Sequence, residues 1–463
     1  MRHVAAVVLA LSAAACGEAV SKPQPSALDG LASKGSAPIA TQTAEIVSPR
    51  AALGGAVGAL ERPAALRRMF EGLARLESGQ AQDDIRILQF GDSHTAADIQ
   101  TAAVRRALQS RFGDGGRGFV AIGRPWKKWY QDGVHVGMSS EWSPEKGKLD
   151  HGKLLGDGLY GLSGIGLFTK QHGARAWTDV AAKTTRAELD YLEQPGGGSF
   201  DVLVDGVRLV RVATRGEKTT SAFRAFDVVE SSVHQLEVRA VGDGDVRVFG
   251  LTLERAQHGI VVDALGINGA RVTTSLLSWN EPHWAEQLRH RSPSLVVLAY
   301  GTNESVDVEL PQAVYERQLV DALGRVARAV PTASCLLLGP PDRAIDGKGD
   351  VGWTTAPKVL EIIAVQRRVA AAAGCAFYDQ LSAMGGPGSI ASWSTEDPPR
   401  AQKDRVHLTR DGYAQLGGSF ASDVMRAYAG WRMAQGLGPS TTREEAPPAA
   451  SALPTIPSDT TAE

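Results

Sequence analysis

Three cysteines in 463 residues are too few for a disulfide framework or a closed metal site. The 49 Lys and Arg residues are balanced by 51 Asp and Glu, and a formal net charge of −2 leaves no basic footprint for nucleic acid or an anionic membrane surface. Beyond the first eleven residues no apolar run approaches the roughly 20 residues of a membrane-spanning helix. Aromatics are only 6% of the chain, so the gathering of Trp126, Trp129, Tyr130, Trp142, Tyr160 and Trp177 in one stretch stands out.

What is present is ordinary globular composition, 43% hydrophobic and 22% charged, on a chain long enough for two folded units. The start, Met1-Arg2-His3 followed by apolar Val4 to Leu11 and Ser-Ala-Ala-Ala-Cys16, has the layout of a secretory signal peptide over 1–16. Small residues before Cys16 resemble a lipobox, which implies acylation of Cys16. It also implies a location in the cell envelope, periplasmic or anchored to the outer membrane, with membrane association only through that lipid. Ala, Ser, Pro and Gly dominate 17–60 and Pro, Thr, Ser and Ala dominate 436–463, so a linker and a disordered tail are expected there. Cys335 and Cys375 lie in apolar, strand-like runs and read as two buried thiols, with a disulfide between adjacent strands as the alternative in an oxidising compartment.

The folded part begins with an amphipathic stretch from Ala64 to Leu76, then a strand at Ile85–Phe90 and a helical pattern from Thr95 to Leu108. Apolar runs at Ile260–Leu265, Ser294–Tyr300 and Ala333–Leu338, with helical patterns at Leu310–Ala329 and Pro357–Ala373, predict a buried parallel sheet. Between about 123 and 254 the pattern turns to alternation with Gly turns, as in Phe200–Val210 and Val233–Val241, and predicts an antiparallel β-sandwich. The expected organisation is a discontinuous α/β host, 61–122 and 255–435, carrying an inserted sandwich, 123–254.

Chemistry is suggested where strands end. Gly91-Asp92-Ser93-His94 closes the first strand, and Ser93 there is a candidate nucleophile at a helix start. Asp404-Arg405-Val406-His407 places a carboxylate three residues before an imidazole, a spacing that lets Asp404 fix the tautomer with which His407 accepts the Ser93 proton. Gly269, in Leu265-Gly-Ile-Asn-Gly-Ala270, and Asn303, in Tyr300-Gly-Thr-Asn-Glu304, follow two further strands and can donate to an oxyanion together with the Ser93 N–H. Each motif alone is a common turn or cap. Together and in this order they resemble the four blocks of the SGNH/GDSL hydrolases. That resemblance implies a three-layer α/β/α fold, a Ser93–His407–Asp404 triad, an oxyanion hole of Ser93, Gly269 and Asn303, and no metal or cofactor. No G-x-S-x-G surrounds Ser93.

The segments Gly91–Asp98, Phe112-Gly-Asp-Gly-Gly-Arg-Gly-Phe119 and Gly266–Ala270, on either side of the insert, resemble the bacterial peptidoglycan O-acetylesterases, whose inserted domain is a jelly roll like a carbohydrate-binding module. The resemblance implies an O-acetylated glycan as substrate. Alternatives are a short-chain carboxylesterase or lipase, an O-acyltransferase and a non-catalytic glycan-binding protein. His94 reads as a structural or substrate-contact residue, Asp92 as a brace for the turn. The aromatics of 126–177 read mainly as sandwich core, with a glycan-stacking surface as the alternative. Gly113–Gly118 lacks the Lys and the preceding strand of a phosphate loop.

Overall fold

The computed structural model describes residues 55–439 except 128, 148–155, 181–182, 230–233 and 348–351. The expected signal peptide and Cys16, most of the linker and nearly all of the tail lie outside these residues.

Five strands are apolar on both faces and so need cover on both sides. In Ile85–Gly91, Ile85 and Ile87 face the cluster formed with helices Arg67–Glu77, Gln100–Phe112 and Arg410–Ala434. Leu88 and Phe90 face the cluster formed with Glu281–Arg291, Gln312–Ala329 and Pro357–Ala372. Leu295–Ala299 alternates in the same way, giving three layers with a parallel sheet in the middle. The sheet runs in the order Ala56–Val57, Leu60–Glu61, Ala376–Tyr378, Ser334–Leu338, Leu295–Ala299, Ile85–Gly91, Ile260–Gly266. Its last five strands are mutually parallel.

The linker expected to reach residue 60 stops earlier: Ala56–Val57 and Leu60–Glu61 form a hairpin that adds antiparallel to Ala376–Tyr378, because Val57 and Leu60 bury in the host core. At the other end the chain continues past the Arg410–Ala434 helix, and the carbonyls of Leu437 and Gly438 accept from the Arg432 guanidinium.

The insert is two antiparallel sheets, one of five strands and one built around Val246–Glu254. They pack on a shared core to which the first contributes Ala176, Phe200 and Val238 and the second Leu189 and Val248. The first strand of the insert, Gly118–Val120, starts before the expected boundary at 123 and pairs with Leu251–Leu253. The Phe119 N–H meanwhile donates to Asp263 of the host sheet at 2.7 Å, so this strand belongs to both regions. Ions join the two regions as well: Arg291 of the host pairs with Asp263 and with Glu254 of the sandwich, and Arg86 with Glu254, all buried.

The two remaining cysteines are not free thiols. Cys335 and Cys375 form a disulfide, Cα–Cα 4.9 Å, between Ser334–Leu338 and the entry to Ala376–Tyr378. The apolar runs in which they lie are neighbouring strands, which brings the sulfurs together.

Candidate active site

In a parallel sheet all strands end on the same edge, and the loops there converge. Gly91 pairs in register with Gly266 on one side and with Ala299 on the other, so Ser93, Gly269 and Asn303 all leave adjacent strand ends. Close approach is enforced at Gly266, where a Cβ would lie 2.2 Å from the Ala96 backbone nitrogen; only glycine lets the Ser93 turn sit against this strand.

The expected Thr95–Leu108 helix is broken in two. Ser93–Ala96 makes a single turn and Gln100–Phe112 the longer helix, with Asp98 between them in the left-handed region at φ 44°. The cause is the buried Asp98 carboxylate, which accepts from Thr101, the Asp132 backbone and Arg117 at 2.5–2.9 Å. Asp92 caps the short turn by accepting the His94 N–H at 3.0 Å. Burial pushes its carboxyl up to about 7, against the hydrogen bonds it accepts from His94 and Thr302.

Ser93 Oγ lies 3.0 Å from His407 Nε2, and His407 Nδ1 lies 2.7 Å from Asp404 Oδ2. The other Asp404 oxygen accepts the Val406 and His407 N–H groups, each at 3.0 Å, so the three-residue offset closes into a tight Asx turn that holds both members. Partial burial works to raise the Asp404 carboxyl, but the His407 ring and the two backbone donors outweigh it and hold it below the usual range.

Gly269 is half-buried with φ +71°, a left-handed turn that suits a glycine. Asn303 Nδ2 donates to the Ala270 carbonyl at 2.9 Å, which ties the two candidate oxyanion loops together and leaves the second amide proton free to donate.

Several contributors carry no sequence signature of their own. Glu304, 1% exposed, accepts from Val272 at 2.8 Å with one oxygen and from Gly301 at 3.0 Å with the other, clamping both loops; the strand-end motif Tyr300–Glu304 contained it without marking it. Burial raises its carboxyl. Tyr413 sits 2.9 Å from His94 Nδ1. His94 is buried with its ring centroid 5.4 Å from that of His407, and burial, aided by repulsion from His407, pushes it down to about 3, so it is a neutral packing partner of His407.

Of the expected aromatics, Trp142 and Tyr160 are core and Trp126 and Trp129 are partly buried; Tyr130 is exposed. The described residues bring Asp83, Asp84 and His258 within metal-binding reach of one another, but at the start of the Ile85–Gly91 strand, the opposite end from Ser93. A cleft of about 840 Å³ lined by Arg68, Asp83, Asp84 and Ser294 lies at that end too, away from the strand ends that carry Ser93.

The GDSL-like lipase/acylhydrolase family matches residues 235–415, which include Gly269, Asn303, Asp404 and His407 while Ser93 stands apart, on the far side of the insert. A solved structure described as a peptidoglycan O-acetylesterase in action superposes with a TM-score of 0.65 at 26% identity, over 78% of this chain and 96% of that one. A family two carbohydrate esterase from Cellvibrio japonicus is similar with a TM-score of 0.26 at 10% identity, over 64% of this chain and 99% of that one. No curated protein matches. With the family match on the strand-end motifs and a structural likeness across host and insert alike, the chain carries a GDSL-like lipase/acylhydrolase domain on the SGNH hydrolase fold and is a serine ester hydrolase.

Proposed function

We propose that this chain removes O-acetyl groups from a cell-envelope polysaccharide, peptidoglycan first among them, by a Ser-His-Asp acyl-enzyme mechanism. The observation that carries the mechanism is the unbroken relay from Ser93 Oγ through His407 to Asp404. The likeness to a peptidoglycan O-acetylesterase, which extends over the insert, supports the substrate.

In this reading Ser93 Oγ attacks the acetyl carbonyl carbon as its proton passes to His407 Nε2. The carbonyl electron pair moves onto oxygen, where the N–H groups of Ser93 and Gly269 and the Asn303 amide stabilise it. Collapse breaks the bond to the sugar oxygen, which takes the proton from His407. Water, deprotonated by His407, then attacks the acetyl-Ser93 carbonyl, and acetate leaves as Ser93 regains its proton. Asp404 holds the imidazole in the required tautomer and stabilises its cationic form. No step calls for a metal or organic cofactor. The sequence start adds export to the cell envelope and acylation at Cys16 to the proposal, both outside the described residues.

The test is acetate release from O-acetylated peptidoglycan and from O-acetylated xylan by the protein and its Ser93→Ala variant, with short and long p-nitrophenyl esters in parallel. The proposal expects release from peptidoglycan that Ser93→Ala lowers by ~10³-fold or more. Activity on simple esters alone would remove the substrate and keep the chemistry; long-chain preference would favour a lipase.

A further inference from the structure

At the start of the helix that follows His407 the surface carries a cation that forms no salt bridge among the described residues. Arg410 is the first residue of the Arg410–Ala434 helix and stands three residues after His407. It is exposed, and among the described residues no carboxylate lies in ion-pair reach of it. Its neighbours in sequence are engaged: the Arg400 guanidinium holds Glu396 and lies 4.2 Å from the Trp393 ring centroid, and Arg405 lies 4.0 Å from that of Trp353. Arg410 is oriented instead by Tyr130, whose hydroxyl is 3.4 Å from one guanidinium nitrogen and whose ring centroid is 5.8 Å from the guanidinium carbon.

Tyr130 is 37% exposed, yet the loop that presents it is pinned on both sides. Gln131 accepts the Ala121 N–H at 3.2 Å. The Asp132 N–H donates to Asp98 at 2.9 Å and its carbonyl accepts from Arg117 at 3.0 Å. Asp98 in turn is the residue that breaks the helix behind Ser93. Asp132 and Asp411 act on Arg410 electrostatically without a salt bridge, and the Asp132 carboxylate is already occupied: one oxygen accepts from Tyr130 at 3.0 Å and the other from Arg106 at 2.6 Å. A small cavity lined by Ala96, Trp129, Tyr130 and Gly266 lies between this loop and the nucleophile turn. One rigid frame therefore holds the nucleophile turn, an exposed aromatic and a guanidinium with free donors.

A planar fork of N–H donors matches a carboxylate in two parallel hydrogen bonds, and an aromatic face beside it suits a sugar ring. We propose that Arg410, positioned by Tyr130, recognises a carboxylate borne by the acetylated glycan close to the ester that Ser93 attacks. The site thereby selects acidic acetylated glycans over neutral ones. This rests on the O-acetylesterase reading and adds to it the residue that sets substrate class.

The experiment compares kcat/KM for acetate release from soluble O-acetylated peptidoglycan fragments with free carboxylates and from the same fragments after amidation. It uses wild type, Arg410→Gln, Arg410→Lys, Arg410→Glu and Tyr130→Phe. Wild type should prefer the free acid by about two- to fivefold, the worth of one ion pair at an exposed site. Arg410→Gln should bring the ratio to about one, Arg410→Lys keep part of it, Arg410→Glu invert it, and Tyr130→Phe lower it by about half. A ratio of one in wild type, or an unchanged ratio in Arg410→Gln, overturns the inference while leaving the esterase reading intact. If wild type releases no acetate from either fragment, the esterase reading fails and binding to the Ser93→Ala protein decides. Tighter binding of free-acid fragments that is lost with Arg410→Gln upholds the carboxylate site, and equal binding overturns it.

Discussion

Two strands of the host sheet and two edge strands of the inserted sandwich differ in how burial runs along them. Ile85–Gly91 and Ile260–Gly266 are buried at every position, whereas Thr220–Asp227 and Val207–Ala213 in the insert are mostly exposed or half-buried. A strand buried on both faces can offer reactive side chains only at its end, and in a parallel sheet those ends coincide. The sandwich strands run both ways and gather no such edge; what the insert brings to the site is the loop around Tyr130 and a buried seam against the host. On the proposed mechanism one region supplies the chemistry, the other its surroundings.

That division can be broken most sharply by Asn303→Ala, which removes a side-chain amide from the strand-end edge alone. It should lower kcat by ~10²–10³-fold while the lost bond to Ala270 costs only about 1 kcal/mol of stability, and an equal loss of kcat from an exposed sandwich residue such as Leu209→Ala would refute the division. The seam is tested by Arg291→Ala. It leaves the buried Asp263 without its ion-pair partner and Glu254 with Arg86 alone, and should cost about 3–5 kcal/mol in urea unfolding. A loss under 1 kcal/mol would mean that the Arg291 ion pairs contribute little to holding the seam.

Within the host, replacing Cys335 and Cys375 by Ser opens a loop of sequence separation 40 and should cost about 3–4 kcal/mol by chain entropy, while the strand ends keep their activity. No change in the unfolding midpoint would show that the disulfide does not form in the protein.

The smallest expected effect is pH-dependent. His283 of the host helix accepts the Gly161 N–H at Nε2 and lies 3.1 Å from the Ser221 hydroxyl at Nδ1, both groups in the insert. Burial pushes it from 6.5 down to about 4. Because the folded value lies below the unfolded one, its contribution is present above pH 6.5 and is lost as pH falls through about 4. The loss is on the order of 2–3 kcal/mol. His283→Gln should flatten that limb of the stability profile, and an unaltered slope would remove His283 from the seam's acid response. His94, pushed down to about 3, has the same sign and remains in the variant.

The parts of this molecule legible in the sequence were those written in short-range pattern. Continuous apolar runs between helical periods marked the parallel sheet, and Asp404-x-x-His407 is bonded within its own turn. The Ser93, Gly269 and Asn303 motifs were readable because each follows a strand, and strand ends meet. What escaped was set by distant partners. The Cys335–Cys375 disulfide depends on which strands are neighbours, Gly118–Val120 joins the sandwich through a pairing more than a hundred residues away, and Ala56–Glu61 is too short to show a period. The break at Asp98 comes from Arg117 and Asp132, which no helix propensity reports.

The central claim is that three strand ends activate Ser93 as a nucleophile. The most direct measurement is intact-mass analysis and peptide mapping after treatment with a fluorophosphonate, which forms a covalent bond only with an activated serine. The account predicts one adduct per chain, on Ser93, with labelling slowed at least ~10²-fold in His407→Ala. An unlabelled folded protein, or an adduct on another residue with Ser93 untouched, would contradict it.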